Sequence, residues 1–240
     1  MDDLGTSSTA GPQKNGSLWW RGALSLLYVL GTMGLLLFGA AGRLDWPAAW
    51  FLIGGYGMYL VIFMVWGFGR NPDLIRERAH VAENVKGWDK WINAIYTVLL
   101  VALLVVCGLD AGRFGWSRIT SLVRLAGWLM LLGAGGLIFW TLVENSYLSR
   151  WARIQDDRGQ QVISSGPYAK IRHPMYAGII VLMTAIPLAL GSWWGLVPGG
   201  MISALFLLRT ILEDRMLIHE LDGYQQYAQR VRYRLLPWVW

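Results

Sequence analysis

Long apolar segments alternate with short charged segments along most of this chain. Four apolar runs contain no charged residue and are 19 to 24 residues long: 22–42, 46–69, 91–109 and 125–143. A helix of about 20 residues, rising about 1.5 Å per residue, crosses a bilayer core about 30 Å thick. Each of the four runs therefore predicts one membrane-spanning helix.

A fifth apolar run, residues 174–208, contains 35 uncharged residues and is too long for one straight span. Pro187, Gly191 and Pro198 lie near its middle, and proline and glycine are typical of turns and helix ends. We therefore predict a tight hairpin of two shorter helices that turns around residues 190–196. With the four earlier runs, this predicts an all-α fold: a polytopic membrane helix bundle of about six transmembrane helices with a cytoplasmic helical cap.

Two groups of glycines within the predicted spans suggest where helices approach one another closely. Gly31 and Gly34 are three residues apart, and the second group covers residues 133–136. Small residues at this spacing allow close contacts between helices in a membrane. We therefore predict that both groups face neighbouring helices.

The composition and the distribution of charge agree with a membrane protein. Hydrophobic residues make up 55% of the 240 residues and charged residues only 15%, whereas soluble domains carry about 25% charge. With the N-terminus in the cytoplasm, 17 of the 21 Lys and Arg residues fall in cytoplasmic segments. This positive-inside distribution predicts cytoplasmic termini and explains the net charge of +6. The predicted partners are membrane lipids and no nucleic acid.

The first 17 residues differ from the remainder of the chain. They are small and polar, which predicts a disordered N-terminal tail over residues 1–17. Residues 18–240 are predicted to form a single integral-membrane domain. One Cys and three His argue against a disulfide framework and against a metal site. Because the span interiors carry no charge, an ion pump is not expected, and function is expected at the cytoplasmic face.

Polar residues collect in three predicted cytoplasmic segments. The first, residues 70–80, begins with the turn signal Asn71-Pro72 and predicts an interfacial helix. In the second, His173 precedes Pro174, and proline favours the first turn of a helix. His173 is therefore predicted at a helix N-terminus on the membrane surface, a position that favours a carboxylate or phosphate.

The third segment begins with two charged residues in one helical turn. Arg209 and Glu213 are four residues apart, so they share a helix face where the chain leaves the membrane. They form either a simple salt bridge, worth about 0.3–0.5 kcal/mol, or a paired anchor for a ligand. In the second case Glu213 would bind a cationic group and Arg209 an anionic one. Tyr224 and Tyr227, further along, are either interfacial anchors or part of the same site.

Several motifs follow one another in the C-terminal half of the chain. They are Gly166-Pro-Tyr168, Arg172-His-Pro-x-Tyr-x-Gly178, Glu213-Asp214-x-x-Leu217 after the predicted hairpin, and Tyr224-x-x-Tyr227-x-x-x-Val231. Over residues 153–237 this order resembles the isoprenylcysteine carboxyl methyltransferase superfamily, which includes phospholipid methyltransferases. The resemblance implies an integral-membrane methyltransferase that consumes S-adenosylmethionine and releases S-adenosylhomocysteine.

The resemblance also implies which residues form the site, with the cofactor-binding part at 150–240. The cofactor pocket would consist of Gln155, Gln160, Gln161, Val162, Ile163, Tyr168, His173, Pro174, Met175, Tyr176 and Glu213. Arg209 would position the substrate, an isoprenylcysteine carboxylate-like or lipid acceptor. Two departures bear on that substrate: the usual Glu-Glu pair is Glu213-Asp214, and Gln160 stands where prenylcysteine enzymes often carry a His.

The residue types suit S-adenosylmethionine. Its carboxylate suits His173, its ammonium group suits Glu213, and its adenosine suits the segment 155–163. Methyl transfer to an ionised acceptor depends on alignment more than on a strong base. Two alternatives remain: an NADPH-dependent membrane reductase of the sterol type, and a non-enzymatic membrane scaffold whose polar residues only anchor the chain.

Overall fold

The described part of the chain is a bundle of helices. The computed structural model describes the backbone of residues 13–79 and 85–240, and the side chains of residues 19–78 and 85–240; within these ranges it has no strand. The α-helices are α1 (Gln13–Ala41), α2 (Pro47–Arg70), α3 (Pro72–Ala79), α4 (Gly87–Cys107), α5 (Ser121–Glu144), α6 (Pro174–Leu190), α7 (Leu196–Glu220) and α8 (Tyr224–Arg230). A π-helical turn, Gly108–Phe114, continues α4, and two 3-10 turns, Asp156–Arg158 and Gly166–Ala169, lie between α5 and α6. The predicted all-α class is confirmed.

Five of the described helices are long and apolar enough to cross a membrane. They are α1 from Trp19, α2, α4 with its π-helical turn, α5 and α7. The sixth predicted span corresponds to α6, which is apolar but has only 17 residues. The chain is therefore a polytopic helical bundle, with the apolar runs of the sequence in its long helices.

The predicted hairpin is present, but its two helices differ in length. α6 ends at Leu190, and Gly191 follows with a φ of 92°, a conformation that glycine adopts without strain. α7 begins at Leu196, so the turn lies where it was predicted. Both helices are shorter than the 35-residue run, as predicted, and α7, of 25 residues, remains helical past Leu208 to Glu220. The second helix of the hairpin therefore continues from the apolar region into the polar end of the bundle.

The N-terminal prediction falls mostly outside the described residues. Residues 1–12 of the predicted tail are not described, and α1 begins at Gln13, so residues 13–17 have a helical backbone. The predicted interfacial helix corresponds to α3, which begins at Pro72. The side-chain oxygen of Asn71 accepts a hydrogen bond from the Leu74 amide at 3.2 Å, which stabilises the first turn of this helix.

Glycines allow α5 and α6 to pack closely, although not the glycines that were predicted to do so. A Cβ added at Gly127 would lie 2.5 Å from the amide nitrogen of Ala189, and one added at Gly178 would lie 2.6 Å from Ile138 Cγ1. At the two predicted groups, an added Cβ would come no nearer than 3.9 Å to any described atom outside its own helix. Gly34 and Gly135 do face α2, where an added Cβ would lie 3.9 Å from Ile53 and from Tyr59, but neither contact is close enough to require a glycine.

A buried carboxylate joins the α4–α5 connection to the turn between α6 and α7. Asp110 is fully buried and accepts hydrogen bonds from the Ser117 amide at 2.7 Å and the Ser117 hydroxyl at 2.5 Å. The Ser192 hydroxyl also donates to Asp110, at 2.6 Å, and accepts a hydrogen bond from the Gly195 amide at 2.9 Å. The Asp110 side chain therefore holds the α4–α5 connection against the turn between α6 and α7.

Replacing Asp110 with alanine is expected to lower the free energy of unfolding by about 2 kcal/mol, because the buried Ser192 hydroxyl and the two partly buried donors of Ser117 lose a charged acceptor. The matched control is Asp45→Ala, since Asp45 is 82% exposed and its contact with Arg43 is 3.8 Å long; its effect should stay below about 1 kcal/mol. Thermal unfolding in detergent, followed by tryptophan fluorescence, measures both variants. Equal shifts in the unfolding temperature would contradict the structural role of Asp110.

Candidate active site

A cavity lies among the α5–α6 connection, the first turn of α6, the polar end of α7 and α8. The space among its lining residues is about 810 Å³ when the solvent at its open mouth is included. Ten of the eleven residues predicted for the cofactor pocket line it: Gln155, Gln160, Gln161, Val162, Ile163, Tyr168, His173, Met175, Tyr176 and Glu213. The fold thus brings together residues that are up to 58 positions apart in sequence, and their binding role stays a prediction.

Pro174 is the predicted pocket residue that does not line the cavity. It is the first residue of α6, it is buried, and it has no amide hydrogen to offer a ligand. The amides of Tyr176 and Ala177 donate to the His173 carbonyl oxygen. The Met175 amide is therefore the N–H group in the first turn of α6 that remains available to a ligand. Pro174 therefore shapes the helix start, while His173 and Met175 face the cavity.

Two glutamines shape the loop that forms one wall of the cavity. Gln155 is 1% exposed; its side-chain nitrogen donates to the Tyr147 carbonyl oxygen at 2.5 Å, and its side-chain oxygen accepts from Arg158 at 2.6 Å. The side-chain oxygen of Gln160 accepts from the Gln155 amide at 2.8 Å. Both amide side chains are therefore occupied mainly with folding this loop.

The residues that follow the two glutamines present free backbone groups. In the described chain, no hydrogen-bond partner is found for the backbone N–H and C=O groups of residues 161–163, which line the cavity. Backbone polar groups without a protein partner require water or a ligand. This strand-like segment can therefore bind a flat polar ring edge-on.

Three tyrosines, Tyr168, Tyr224 and Tyr227, form an aromatic cluster that packs against Val162 and Ile163. The Tyr227 hydroxyl donates to the Tyr168 carbonyl oxygen at 2.8 Å, and the Asn145 side chain donates to the Tyr168 hydroxyl at 3.0 Å. Burial raises the pKa values of Tyr168, Tyr224 and Tyr227 well above the usual value, so their hydroxyls remain protonated. Tyr224 and Tyr227 were left open as anchors or site residues, and both line the cavity.

Asp214 is the centre of a buried charge network beneath the cavity. It is fully buried and lies 3.0 Å from Arg172 Nη2, 3.2 Å from His173 Nε2 and 2.9 Å from Arg234 Nε. The Tyr224 hydroxyl donates to it at 3.0 Å. The sequence identified Asp214 only as a departure from the usual acidic pair, and its partners lie on three separate segments.

The C-terminal segment, residues 233–240, also contacts the charge network around Asp214. The amides of Arg172 and His173 donate to the carbonyl oxygens of Tyr233 and Arg234, each at 2.9 Å. The Arg234 guanidinium also packs over the Trp240 ring at 5.1 Å. Residues 233–240 therefore hold the Arg172-His173 dipeptide in place, a role that no motif in the sequence indicated.

Glu213 is the single carboxylate among the described residues that line the cavity. Its side chain is 21% exposed and accepts a hydrogen bond from the Tyr176 hydroxyl. Arg153, Arg172 and His173 also line the cavity; Arg153 pairs with Glu77 and Asp157, and Arg172 and His173 pair with Asp214. The lining therefore combines one carboxylate with guanidinium and imidazole groups, and the two charged ends of a zwitterion can bind to such groups.

Arg209 lies outside the cavity lining, contrary to the prediction that it faces an anionic ligand group. It is buried, with Nη2 3.0 Å from Asp89 Oδ1 and 2.9 Å from the Arg150 carbonyl oxygen, whereas its Nε lies 3.9 Å from Glu213. Asp89 in turn accepts a hydrogen bond from the Ala152 amide at 2.8 Å. The Asp89–Arg209 pair therefore ties α4 and α7 to the 150–152 stretch of the cavity wall.

The predicted interfacial helix α3 also contacts this wall. Glu77 lies 2.9 Å from Arg153, and both side chains are largely buried. Burial lowers the pKa of Arg153, but hydrogen bonds with Glu77 and Asp157 outweigh it, so the pKa is raised overall. An interfacial helix is thus coupled to a residue that lines the cavity.

Comparison with known proteins adds one finding. Residues 122–221 match the family model described as phospholipid methyltransferase. The matched residues contain α5, the loop wall, the Arg172-His173 dipeptide and the polar end of α7. No curated protein matches the chain. The match confirms the resemblance stated from the motifs.

Proposed function

We propose that this chain is an S-adenosylmethionine-dependent methyltransferase embedded in a membrane, because residues 122–221 match the family model described as phospholipid methyltransferase. The observation that carries the proposal is the charge pattern of the cavity. One carboxylate, Glu213, lines the same cavity as Arg172 and His173, at the polar end of an apolar bundle. A zwitterionic amino-acid donor matches that pattern.

The lining residues fit the parts of this donor. Glu213 would bind the ammonium group, because a charge-assisted hydrogen bond is about twice as strong as a neutral one. His173, Arg172 and the Met175 amide would bind the carboxylate at the start of α6. The backbone of residues 161–163 would bind the adenine edge, beside the aromatic cluster of Tyr168, Tyr224 and Tyr227.

The bound donor supplies an electrophilic methyl group and leaves as neutral S-adenosylhomocysteine. The contribution of this chain is to hold the donor in one orientation and to exclude water from the site, which converts a bimolecular reaction into one between aligned groups. Tyr176 donates to Glu213 and so holds that carboxylate towards the cavity. No side chain of the described cavity is needed as a strong base for an acceptor that is already ionised.

The acceptor is proposed to be lipophilic or embedded in the membrane, such as a lipid or an isoprenylcysteine-like carboxylate. The cavity lies at the polar end of helices that are long enough to span a bilayer. A lipid could reach it laterally, while the water-soluble donor arrives from the cytoplasm. We accordingly place both termini in the cytoplasm, and the chain in a bacterial inner membrane.

The role of Arg209 is proposed to be substrate positioning through the cavity wall. Its guanidinium holds the Arg150 carbonyl and the Asp89 carboxylate, and Asp89 holds the Ala152 amide. Because Trp151 and Ala152 line the cavity, a shift of this stretch would misplace an acceptor without removing any donor contact. Arg209 is therefore a positioning residue in this proposal.

Calorimetry on the purified protein in detergent tests the proposed function. Saturable binding is expected for S-adenosylmethionine and S-adenosylhomocysteine, with no binding of NADPH. Binding of NADPH alone would contradict the methyltransferase proposal and favour a membrane reductase. If none of the three ligands binds, in detergent or in lipid nanodiscs, the polar residues around the cavity only anchor the chain at the membrane surface.

A further inference from the structure

The four groups that contact Asp214 divide between its two carboxylate oxygens. Arg172 Nη2 and Arg234 Nε lie 3.0 and 2.9 Å from Oδ2. His173 Nε2 and the Tyr224 hydroxyl lie 3.2 and 3.0 Å from Oδ1. Two guanidinium groups on one oxygen keep the carboxylate ionised, and an ionised carboxylate can only accept hydrogen bonds. The hydrogen between the two side chains therefore belongs to His173 Nε2.

The other ring nitrogen of His173 is left for a ligand. His173 precedes α6, but its side chain makes no capping hydrogen bond with the first turn of that helix, and Nδ1 has no hydrogen-bond partner among the described residues. Because His173 lines the cavity and Asp214 does not, the Nε2 edge of the ring is turned away from the cavity. Nδ1 is therefore the ring nitrogen that a bound molecule can reach, at the same helix start as the free Met175 amide.

The charges beside His173 determine what a proton on Nδ1 requires. Two guanidinium groups against one carboxylate leave the network around Asp214 with a surplus positive charge before His173 is protonated. Arg172, whose side chain is 8% exposed, also has an Nε atom without a hydrogen-bond partner in the described chain. A proton on Nδ1 of the buried His173 would add to this surplus, so a further negative charge is needed to stabilise it.

The protein itself offers no free carboxylate for that purpose among the described residues around His173. The titratable and charged groups packed there come from four segments: Arg172, Tyr176 on α6, Glu213, Asp214 and Arg209 on α7, Tyr224 on α8, and Arg234. Asp214 is already shared by four groups. Glu213 accepts from the Tyr176 hydroxyl and lies 3.9 Å from Arg209. The missing negative charge must therefore come from a ligand.

We propose that Asp214 makes His173 the group that selects a donor with a carboxylate, by accepting from Nε2 and so presenting Nδ1 to the cavity. The carboxylate of the bound donor supplies the missing negative charge, and Nδ1 takes up a proton from the solvent as the donor binds. Asp214 is a positioning residue, because it acts on the ligand through His173. The inference rests on the proposed function, since it concerns the same donor cavity.

Calorimetry in buffers with different heats of ionisation tests this proposal on the full chain in detergent. A ligand that binds with proton uptake gives different heats in phosphate and in Tris. For S-adenosylhomocysteine, uptake is expected to rise between about pH 6 and about pH 8, towards about one proton per ligand, because an imidazole that is already protonated at the lower pH takes up none. The decarboxylated analogue, which retains the adenosine and the ammonium group, should bind about tenfold more weakly and with equal heats in the two buffers.

Three substitutions locate the proton. His173→Gln keeps a hydrogen-bonding side chain that cannot be protonated, so proton uptake should vanish and most of the preference for the carboxylate should be lost. His219→Gln is the matched control, because His219 is exposed and lies outside the cavity lining; its proton uptake should equal that of the wild type. Asp214→Asn should reduce proton uptake while methylthioadenosine, which lacks the amino-acid part, still binds. A purely structural role of Asp214 would not separate these two measurements.

The outcomes distinguish this proposal from the proposed function. Equal heats in the two buffers for S-adenosylhomocysteine would overturn the role of His173 and leave the methyltransferase proposal standing. Uptake that persists in His173→Gln, or that is the same for the decarboxylated analogue, would assign the proton to another group and also overturn it. If Asp214→Asn fails to fold, His173→Gln and His219→Gln carry the test. If neither S-adenosylhomocysteine nor its analogue binds to the wild type, the proposed function is wrong and this proposal fails with it.

Discussion

Replacing Asp214 with alanine is expected to produce the largest loss of stability from any single substitution at the site, about 3–5 kcal/mol. Asp214 is fully buried and balances Arg172 and Arg234 while it accepts hydrogen bonds from His173 and Tyr224. Its removal leaves the Arg172 guanidinium, which is 8% exposed, without a carboxylate. The C-terminal segment would also lose its anchor on α7.

Thermal unfolding in detergent measures this effect, and α7 offers a matched control. Glu220 lies at the end of the same helix and pairs with Lys86 at 2.8 Å on the surface, so Glu220→Ala should change stability by less than about 1 kcal/mol. Asp214→Asn keeps the size of the side chain and can still accept a hydrogen bond from Tyr224. Its loss of stability should therefore lie between those of Asp214→Ala and Glu220→Ala. If Asp214→Ala unfolded at the same temperature as Glu220→Ala, the network would not be stabilising.

The features that could be predicted from the sequence are those with a local signal. Runs of uncharged residues marked the spanning helices, and Gly191 marked the turn of the hairpin, because both properties depend on neighbouring residues alone. The motif that contains His173 identified the start of α6 in the same way. The pocket residues came from the family resemblance of the motifs, and ten of them line one cavity.

The features that were missed depend on contacts between distant segments. Arg209 and Glu213 do share a face of α7, as their spacing predicts, but Arg209 binds Asp89, which lies 120 residues earlier on α4. The same applies to Arg172 and Asp214, whose partners Tyr233 and Arg234 belong to the C-terminal segment. No pattern within a helix reveals which buried charge on another helix will face it, so the direct ligand contact predicted for Arg209 was replaced by a structural one.

The length of α7 is a further example of the limits of a local pattern. The apolar run ends at Leu208, and the spacing of Arg209 and Glu213 predicts a helix for only one turn beyond it. The structure continues the same helix for three more turns to Glu220, because the residues beyond Leu208 include good helix formers and have buried partners. Glu213 consequently reaches the cavity from a rigid helix and not from a flexible loop.

Replacing Glu213 with glutamine is expected to weaken the binding of S-adenosylhomocysteine by about 100-fold, which is the usual cost of losing one partner of a buried charge pair. The substitution preserves the size of the side chain and its ability to accept from Tyr176, so the cavity should keep its shape. Calorimetry on the solubilised protein measures the affinity. Glu220→Gln, the same change on the exposed end of α7, should leave it unaltered.

The choice of ligands separates a lost charge contact from a distorted pocket. Methylthioadenosine retains the adenosine and sulfur but lacks the amino-acid part, so it should bind equally to the wild type and to Glu213→Gln. Decarboxylated S-adenosylmethionine retains the ammonium group, and its affinity should fall with the substitution as that of the full ligand does. If the affinity for methylthioadenosine also fell 100-fold in Glu213→Gln, the role of Glu213 would be to maintain the shape of the cavity and not to pair with the ammonium group. If none of the three ligands distinguished the variant from the wild type, the donor would have to bind elsewhere, because Glu213 is the one carboxylate that the described cavity offers.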